Sequence, residues 1–88
     1  MLGDVPVHRL DLVLRRPGPH AIEVDWDGDR HVDTYVVSRN GRTLTGSLMT
    51  TRLIDAPIVP GREYCYQVLG YDHIGQLIAA TDVACIVV

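Results

Sequence analysis

Apolar and polar residues alternate along most of this chain, and a period of two is typical of a β-strand with one buried face. Leu10, Leu12 and Leu14 share one face of a strand predicted over residues 8–15. Further strands are predicted over residues 21–26, 32–39, 42–45, 50–54, 64–68 and 77–88. Turn residues separate these segments, and no helical period competes with them. The pattern therefore predicts about seven strands that form an all-β sandwich.

The inward positions of these strands define the expected core. Five residues that stand on the apolar side of a predicted strand are expected to share it: Trp26, Tyr35, Leu53, Tyr66 and Val68. Pro17-Gly18-Pro19 is predicted to end the first strand, because proline donates no hydrogen bond to a β-ladder. Asn40-Gly41 favours a type I′ hairpin turn, which needs positive φ at both central residues.

One stretch of the chain resembles the E–F region of a fibronectin type III domain. In that family an apolar residue, an aspartate and a second apolar residue lead into Pro-Gly and a tyrosine that opens strand F. The matching residues here are Leu53, Asp55, Ile58, Pro60-Gly61 and Tyr64. Trp26 matches the strand-B tryptophan, residues 35–41 resemble strand C with its turn, and residues 70–75 resemble the F–G loop.

The resemblance implies a seven-stranded antiparallel immunoglobulin-like β-sandwich that begins near residue 8. Residues 1–7 would be a loose lead-in, and residues 1–88 a single domain excised from a larger multidomain protein. Tyr64 is then expected to turn its hydroxyl back to the backbone of the E–F crossover, the arrangement called a tyrosine corner. A buried hydroxyl needs such a partner because leaving it unpaired costs about 1–3 kcal/mol.

Composition and charge exclude several classes of function. A hydrophobic fraction of 47% against 22% charged residues is typical of a folded domain, and 88 residues are enough for one modest core. The net charge is -3, so we expect no nucleic-acid partner. No apolar stretch reaches the roughly 18 residues of a membrane-spanning helix, so we expect no membrane insertion. We also expect a monomer.

The acidic residues between strands B and C are candidate ligands for a cation. Asp25, Asp27 and Asp29 begin like a calcium-binding loop, but Arg30 and Val36 occupy the places where an EF-hand needs glycine and an acid. The set Asp29, His31 and Asp33 has no fourth ligand that would fix a zinc ion. We therefore expect no metal and no cofactor.

Catalysis would need a nucleophile beside a base, and the best set is Cys65 with His73, oriented by Asp72. Cys65 is predicted in mid-strand and His73 in the following loop, so we expect no enzyme. We expect Cys65 and Cys85 to be free thiols, because a tight turn over residues 72–75 would misalign them. A cross-strand disulfide is the alternative, and it would stabilise the fold by about 3 kcal/mol.

The expected function is a non-catalytic interaction or spacer module of a larger protein. The resemblance implies that this protein is extracellular or on the cell surface and, in a bacterium, that it is a polysaccharide-degrading enzyme. The module's partners would be neighbouring domains of the same chain or another protein. The alternative is a ligand-binding domain, for carbohydrate or for calcium-dependent adhesion, that acts through the B–C and F–G loops. The residues expected to form this surface, called below the B–C/F–G surface, are Asp27, Asp29, Arg30, His31, Tyr71, Asp72 and His73.

Overall fold

Nine strands form two sheets in the computed structural model, which describes residues 7–88. The strands are β1 (His8–Leu10), β2 (Leu12–Gly18), β3 (Ala21–Trp26), β4 (Thr34–Arg39), β5 (Arg42–Thr43), β6 (Arg52–Asp55), β7 (Glu63–Tyr71), β8 (Leu77–Thr81) and β9 (Ala84–Val87). The larger sheet has the order β1-β8-β7-β4-β5, with β9 also paired to β7. The smaller sheet has the order β2-β3-β6. The predicted all-β sandwich is therefore confirmed.

Two of the predicted strands are each divided, which is why the described chain has nine strands rather than seven. The segment predicted over 8–15 changes sheets at Asp11: β1 runs parallel to β8, whereas β2 runs antiparallel to β3. The Asp11 carbonyl accepts a hydrogen bond from the Asp27 N–H at 3.2 Å. Alternation reports only which way side chains point, so it could not show this change of sheet. Strand β2 also continues through Pro17 to Gly18, because an irregularity in its pairing accommodates proline on an edge strand.

The segment predicted over 77–88 is divided at Asp82 and Val83. Both halves, β8 and β9, pair with the same long strand β7. At the break, the Thr81 hydroxyl accepts the Val68 N–H at 3.0 Å, so a side chain replaces a missing backbone partner in the ladder. The interruption therefore leaves β7 hydrogen-bonded along this edge.

The core lies between the two sheets and contains four of the five predicted residues in buried positions: Trp26, Tyr35, Tyr66 and Val68. Leu53 is only partly buried and packs against this cluster. The rings of Trp26 and Tyr35 meet edge to face with centroids 5.6 Å apart, a geometry that aromatic pairs favour. The inward faces inferred from alternation are therefore correct in β3, β4 and β7.

Local turn chemistry also follows the expectations. Asn40 and Gly41 both have positive φ, at 51° and 79°, as a type I′ hairpin requires. The Tyr64 hydroxyl accepts a hydrogen bond from the Val59 N–H at 2.8 Å, and Val59 lies in the crossover between β6 and β7. The tyrosine corner is therefore present.

The expectation of free thiols is wrong, because Cys65 and Cys85 form a disulfide between β7 and β9. If the pairing of Tyr71 with Leu77 near the turn continued unchanged, Cys65 would face Val83 instead. A register shift at Gly70 and the break before β9 move the pairing by two residues and bring the cysteines opposite each other, with Cα atoms 4.0 Å apart. The assumption of an unbroken hairpin caused the error.

Candidate binding surface

The B–C and F–G loops lie at the same end of the larger sheet. Strand β4 starts opposite the end of β7, where Thr34 pairs with Tyr71, and the Asp33 N–H donates to the Tyr71 carbonyl at 2.7 Å. Gly70 lets the B–C segment approach closely, since a Cβ at that position would lie 2.9 Å from a methyl carbon of Val32. The sequence-predicted residues therefore flank one pair of strands.

Asp29 serves to order its own loop. Its carboxylate accepts the His31 N–H at 2.8 Å and contacts His8 Nδ1 at 2.9 Å, and its N–H donates to the Tyr35 hydroxyl at 2.8 Å. The hydrogen bonds from His8 and from the His31 backbone hold the pKa of the Asp29 carboxyl below its ordinary value. With its side chain only 13% exposed, Asp29 offers little to a ligand. His8, which reaches this loop from β1, was not among the residues predicted from the sequence.

Asp72 has a similar structural role in the F–G turn. One of its carboxylate oxygens accepts the N–H groups of Ile74 at 3.1 Å and Gln76 at 2.8 Å. The Gly75 N–H donates to the Asp72 carbonyl at 3.0 Å, and Gly75 adopts a φ of 83° that favours glycine. Asp72 is therefore used to close the turn, and Tyr71 beside it is half-buried.

Four residues of the B–C/F–G surface remain exposed: Asp27, Arg30, His31 and His73. Arg30 Nε lies 3.4 Å from His31 Nε2, so these two side chains stand together. The set carries both signs of charge and two imidazoles, which suits weak polar contacts with another protein or a polar ligand.

Asp25 and Cys65 lie apart from the other candidate metal ligands and catalytic residues. Asp25 belongs to the outer face of the smaller sheet, where Arg15 Nη1 lies 2.8 Å from its carboxylate. Cys65 is held in the disulfide and has no thiol to offer as a nucleophile. Among residues 7–88, three metal-ligating atoms come within 4.8 Å of one another only at Glu63, Cys65 and Cys85.

Sequence reasoning missed an ion network on the outer face of the smaller sheet. Glu23 and Asp25 of β3 lie between Arg15 of β2 and Arg52 of β6, and both arginines contact both acids. The proximity of Asp25, with the hydrogen bond from Arg52, lowers the pKa of Glu23, and the proximity of Glu23 raises that of Asp25. Opposite charges at alternating positions were visible in the sequence, but pairing them required the strand order.

The opposite end of the sandwich has a cavity of about 300 Å³ beside the β4–β5 hairpin. Its lining residues are Arg39, Asn40, Arg42, Thr43 and Leu44. Arg39, which lines it, has Nη1 2.9 and 3.0 Å from the two carboxylate oxygens of Asp55. The Arg39 guanidinium therefore forms an ion pair with Asp55 that links the two sheets.

The strand arrangement defines a fibronectin type III fold, and solved structures share it. Neither a protein-family model nor a curated protein matches the sequence. A family 28 exopolygalacturonase from Yersinia enterocolitica is 15% identical with a TM-score of 0.70, and the match covers 94% of this chain and 20% of that one. A myokine is 15% identical with a TM-score of 0.69 over 93% of this chain and 96% of that one. The central fibronectin-III array of RIM-binding protein is 19% identical with a TM-score of 0.68 over 98% and 34%.

At these identities the likeness shows the fold alone. This chain spans only a fifth of the exopolygalacturonase and about a third of the RIM-binding protein array, but nearly all of the myokine. No helix long and apolar enough to cross a membrane is found within residues 7–88.

Proposed function

We propose that this chain is a non-catalytic spacer or interaction module that joins neighbouring domains end to end in a larger extracellular protein. The observation that carries this proposal is the position of the two ends of the described chain. His8 contacts Asp29 beside the B–C loop, whereas the Val88 N–H donates to the Arg62 carbonyl, just before β7 begins. Strand β7 joins these two ends, and its nine residues span about 27 Å.

Domains attached before His8 and after Val88 would therefore be held at opposite ends of a rigid sandwich. A flexible linker of 88 residues would instead have a mean end-to-end distance of about 50 Å with a wide spread. The physical benefit of the fold in this role is a fixed separation between its neighbours.

The host and its compartment are also part of the proposal. The exopolygalacturonase holds a domain of this fold within a chain about five times as long, which supports a polysaccharide-degrading enzyme as the host. The disulfide supports an extracellular location, because disulfides form and persist in oxidising environments.

The alternative is a ligand-binding domain that acts through the B–C/F–G surface. The structure weakens its calcium-dependent form, because the carboxylates of Asp29 and Asp72 already accept backbone hydrogen bonds within their own loops. In this alternative, four exposed residues would make weak contacts with a partner protein or a polysaccharide: Asp27, Arg30, His31 and His73.

One experiment tests the spacing directly. The chain is placed between two fluorescent domains, and the distance between them is measured by single-molecule energy transfer, with a Gly/Ser linker of equal length as the control. We expect one narrow distance distribution. A distribution as broad as that of the control would contradict the spacer role.

A second experiment separates the spacer from the ligand-binding alternative. Calcium and a panel of soluble oligosaccharides are titrated into the isotopically labelled, disulfide-bonded protein, and backbone amide shifts are recorded. We expect no saturable shifts in residues 27–31 and 71–75. Saturable shifts there at micromolar ligand that disappear in an Arg30→Ala/His31→Ala variant would establish the alternative.

A further inference from the structure

Three metal-ligating side chains meet on the outer face of the larger sheet, at the end far from the B–C/F–G surface. Glu63 and Cys65 are alternate residues of β7, and Cys85 of β9 pairs directly with Cys65. Their ligand atoms all lie within 4.8 Å of one another. Glu63 and Cys85 are exposed and Cys65 is half-buried, so solvent and solutes reach the group.

The backbone around this group is held in place by bonds other than the disulfide. The Cys65 N–H donates to Asn40 Oδ1 at 2.8 Å, and the Cys65 carbonyl accepts the Asn40 N–H at 2.8 Å. On the other strand, the Val88 N–H donates to the Arg62 carbonyl at 3.0 Å. These bonds and the β7–β9 ladder would keep the two sulfur atoms facing each other after the S–S bond is broken.

Reduction would turn the two cysteines into soft thiolate ligands beside the Glu63 carboxylate. A dithiol reductant supplies two electrons and two protons, so that the Cys65–Cys85 bond breaks, two thiols form and the reductant becomes a disulfide. A tetrahedral Zn²⁺ with metal–sulfur bonds of about 2.3 Å needs its two sulfurs about 3.8 Å apart. Facing cysteines whose Cα atoms are 4.0 Å apart can reach that separation by side-chain rotation.

We propose that the reduced form of this protein binds one thiophilic divalent cation, Zn²⁺ or Cd²⁺, through Cys65, Cys85 and Glu63. The cation displaces the two thiol protons and forms two metal–sulfur bonds, the Glu63 carboxylate gives a third ligand, and water completes the tetrahedron. Thiolate ligands favour Zn²⁺ and Cd²⁺ over Ca²⁺ and Mg²⁺. This site goes beyond the spacer role: the spacer needs only the folded sandwich, whereas the cation binds only after the disulfide, which an oxidising environment preserves, has been reduced.

The test is a Cd²⁺ titration of the full chain after reduction and anaerobic removal of the reductant. Binding is followed by the ultraviolet thiolate-to-cadmium charge-transfer band, and folding by the backbone amide spectrum. We expect the band to saturate at one Cd²⁺ per reduced chain and to be absent from the disulfide-bonded chain. Loss of the folded spectrum on reduction would overturn the proposal, because the site depends on the ladder.

Variants identify the ligands. Cys85→Ser should weaken binding and reduce the band by about half or more at saturation, because one of the two Cd–S bonds is lost. Glu63→Gln should weaken affinity at least about tenfold, since even outer-shell partners of a metal are worth about 10–100-fold. Asp82→Asn is the matched control, because it removes an exposed carboxylate just before β9 that is not in the ligand set, and its affinity should not change. A folded reduced chain without the band, one Cd²⁺ shared by two chains, or unchanged affinity in Glu63→Gln would each overturn the proposal.

Discussion

Removing the arginine of the partly buried Arg39–Asp55 ion pair is expected to destabilise the sandwich more than neutralising the aspartate. Asp55 on β6 has a side chain only 6% exposed, whereas Arg39 on β4 is 35% exposed. The Tyr66 hydroxyl also donates to the carboxylate of Asp55. The pair joins the two sheets, and its members differ in how well water can replace a lost partner.

The difference in burial sets the magnitudes. Arg39→Met keeps most of the apolar stem but leaves a buried carboxylate with the Tyr66 hydroxyl as its remaining side-chain partner. Breaking a buried pair in this way costs about 3–5 kcal/mol, and the partial exposure of Arg39 favours the lower end, about 3 kcal/mol. Asp55→Asn retains an acceptor for Tyr66 and leaves an arginine that can turn toward water, so about 1–2 kcal/mol is expected.

Urea unfolding at neutral pH measures both variants, with the fluorescence of buried Trp26 as the probe. A domain of 88 residues has a total stability of about 4–13 kcal/mol, so either loss is measurable. If the two residues act as a unit, the double variant should cost less than the sum of the single changes. An Asp55→Asn loss equal to or larger than that of Arg39→Met would refute the reasoning, because the buried carboxylate would then not be the group that needs its partner.

Three further predictions concern the corner, the disulfide and the B–C loop. Tyr64→Phe should cost about 1–3 kcal/mol in urea unfolding, because the Val59 N–H loses its acceptor; a neutral result would remove the corner from the stabilising contacts. The double variant Cys65→Ser/Cys85→Ser should lower the free energy of unfolding by about 3 kcal/mol in the same assay, because the unfolded chain is no longer closed into a loop by cysteines separated by 20 residues. An unchanged unfolding midpoint would contradict this prediction. NMR titration of the Asp29 carboxyl should show a pKa below its ordinary value, and this pKa should rise in His8→Ala. Because the pKa is lower in the folded state, the ionised Asp29 carboxylate should stabilise the fold at neutral pH. This stabilisation should be lost as the pH falls through the folded-state pKa.

The sequence was sufficient for features that depend on local patterns. Alternation in β3 and β7 correctly identified the buried faces, because a strand against a core must place every second side chain inward. The Asn40-Gly41 turn and the Tyr64 corner were also predictable, since each depends on residue types close together in the chain.

Features that depend on pairing between distant segments were not predictable. The change of sheet at Asp11 leaves the alternation of side chains intact, so no local signal marks it. The disulfide depends on a register shift at Gly70 and a break before β9, and both were invisible without the strand partners. An error of one or two residues in register is enough to separate two cysteines.

The candidate surface was predictable in its position but not in its chemistry. The fold resemblance implied that the B–C and F–G loops share one end, and the structure places them on one pair of strands. It did not show that Asp29 and Asp72 use their carboxylates on backbone N–H groups of their own loops, because those bonds depend on the exact path of the backbone. Counting exposed acids in a sequence therefore overestimates what a loop offers to a ligand.

Three consecutive residues of β7 give the two ends of the sandwich different properties. Tyr64 bonds to the crossover after β6, Cys65 is linked covalently to β9, and Tyr66 donates to Asp55 on β6. Adjacent residues on a strand point to opposite faces, so this short segment fixes elements inside and outside the core at once. The B–C and F–G loops at the other end are held by several hydrogen bonds, and the disulfide does not reach them. A covalent link therefore reinforces the end of the sandwich that contains Val88, whereas the end that contains His8 is held by hydrogen bonds and packing.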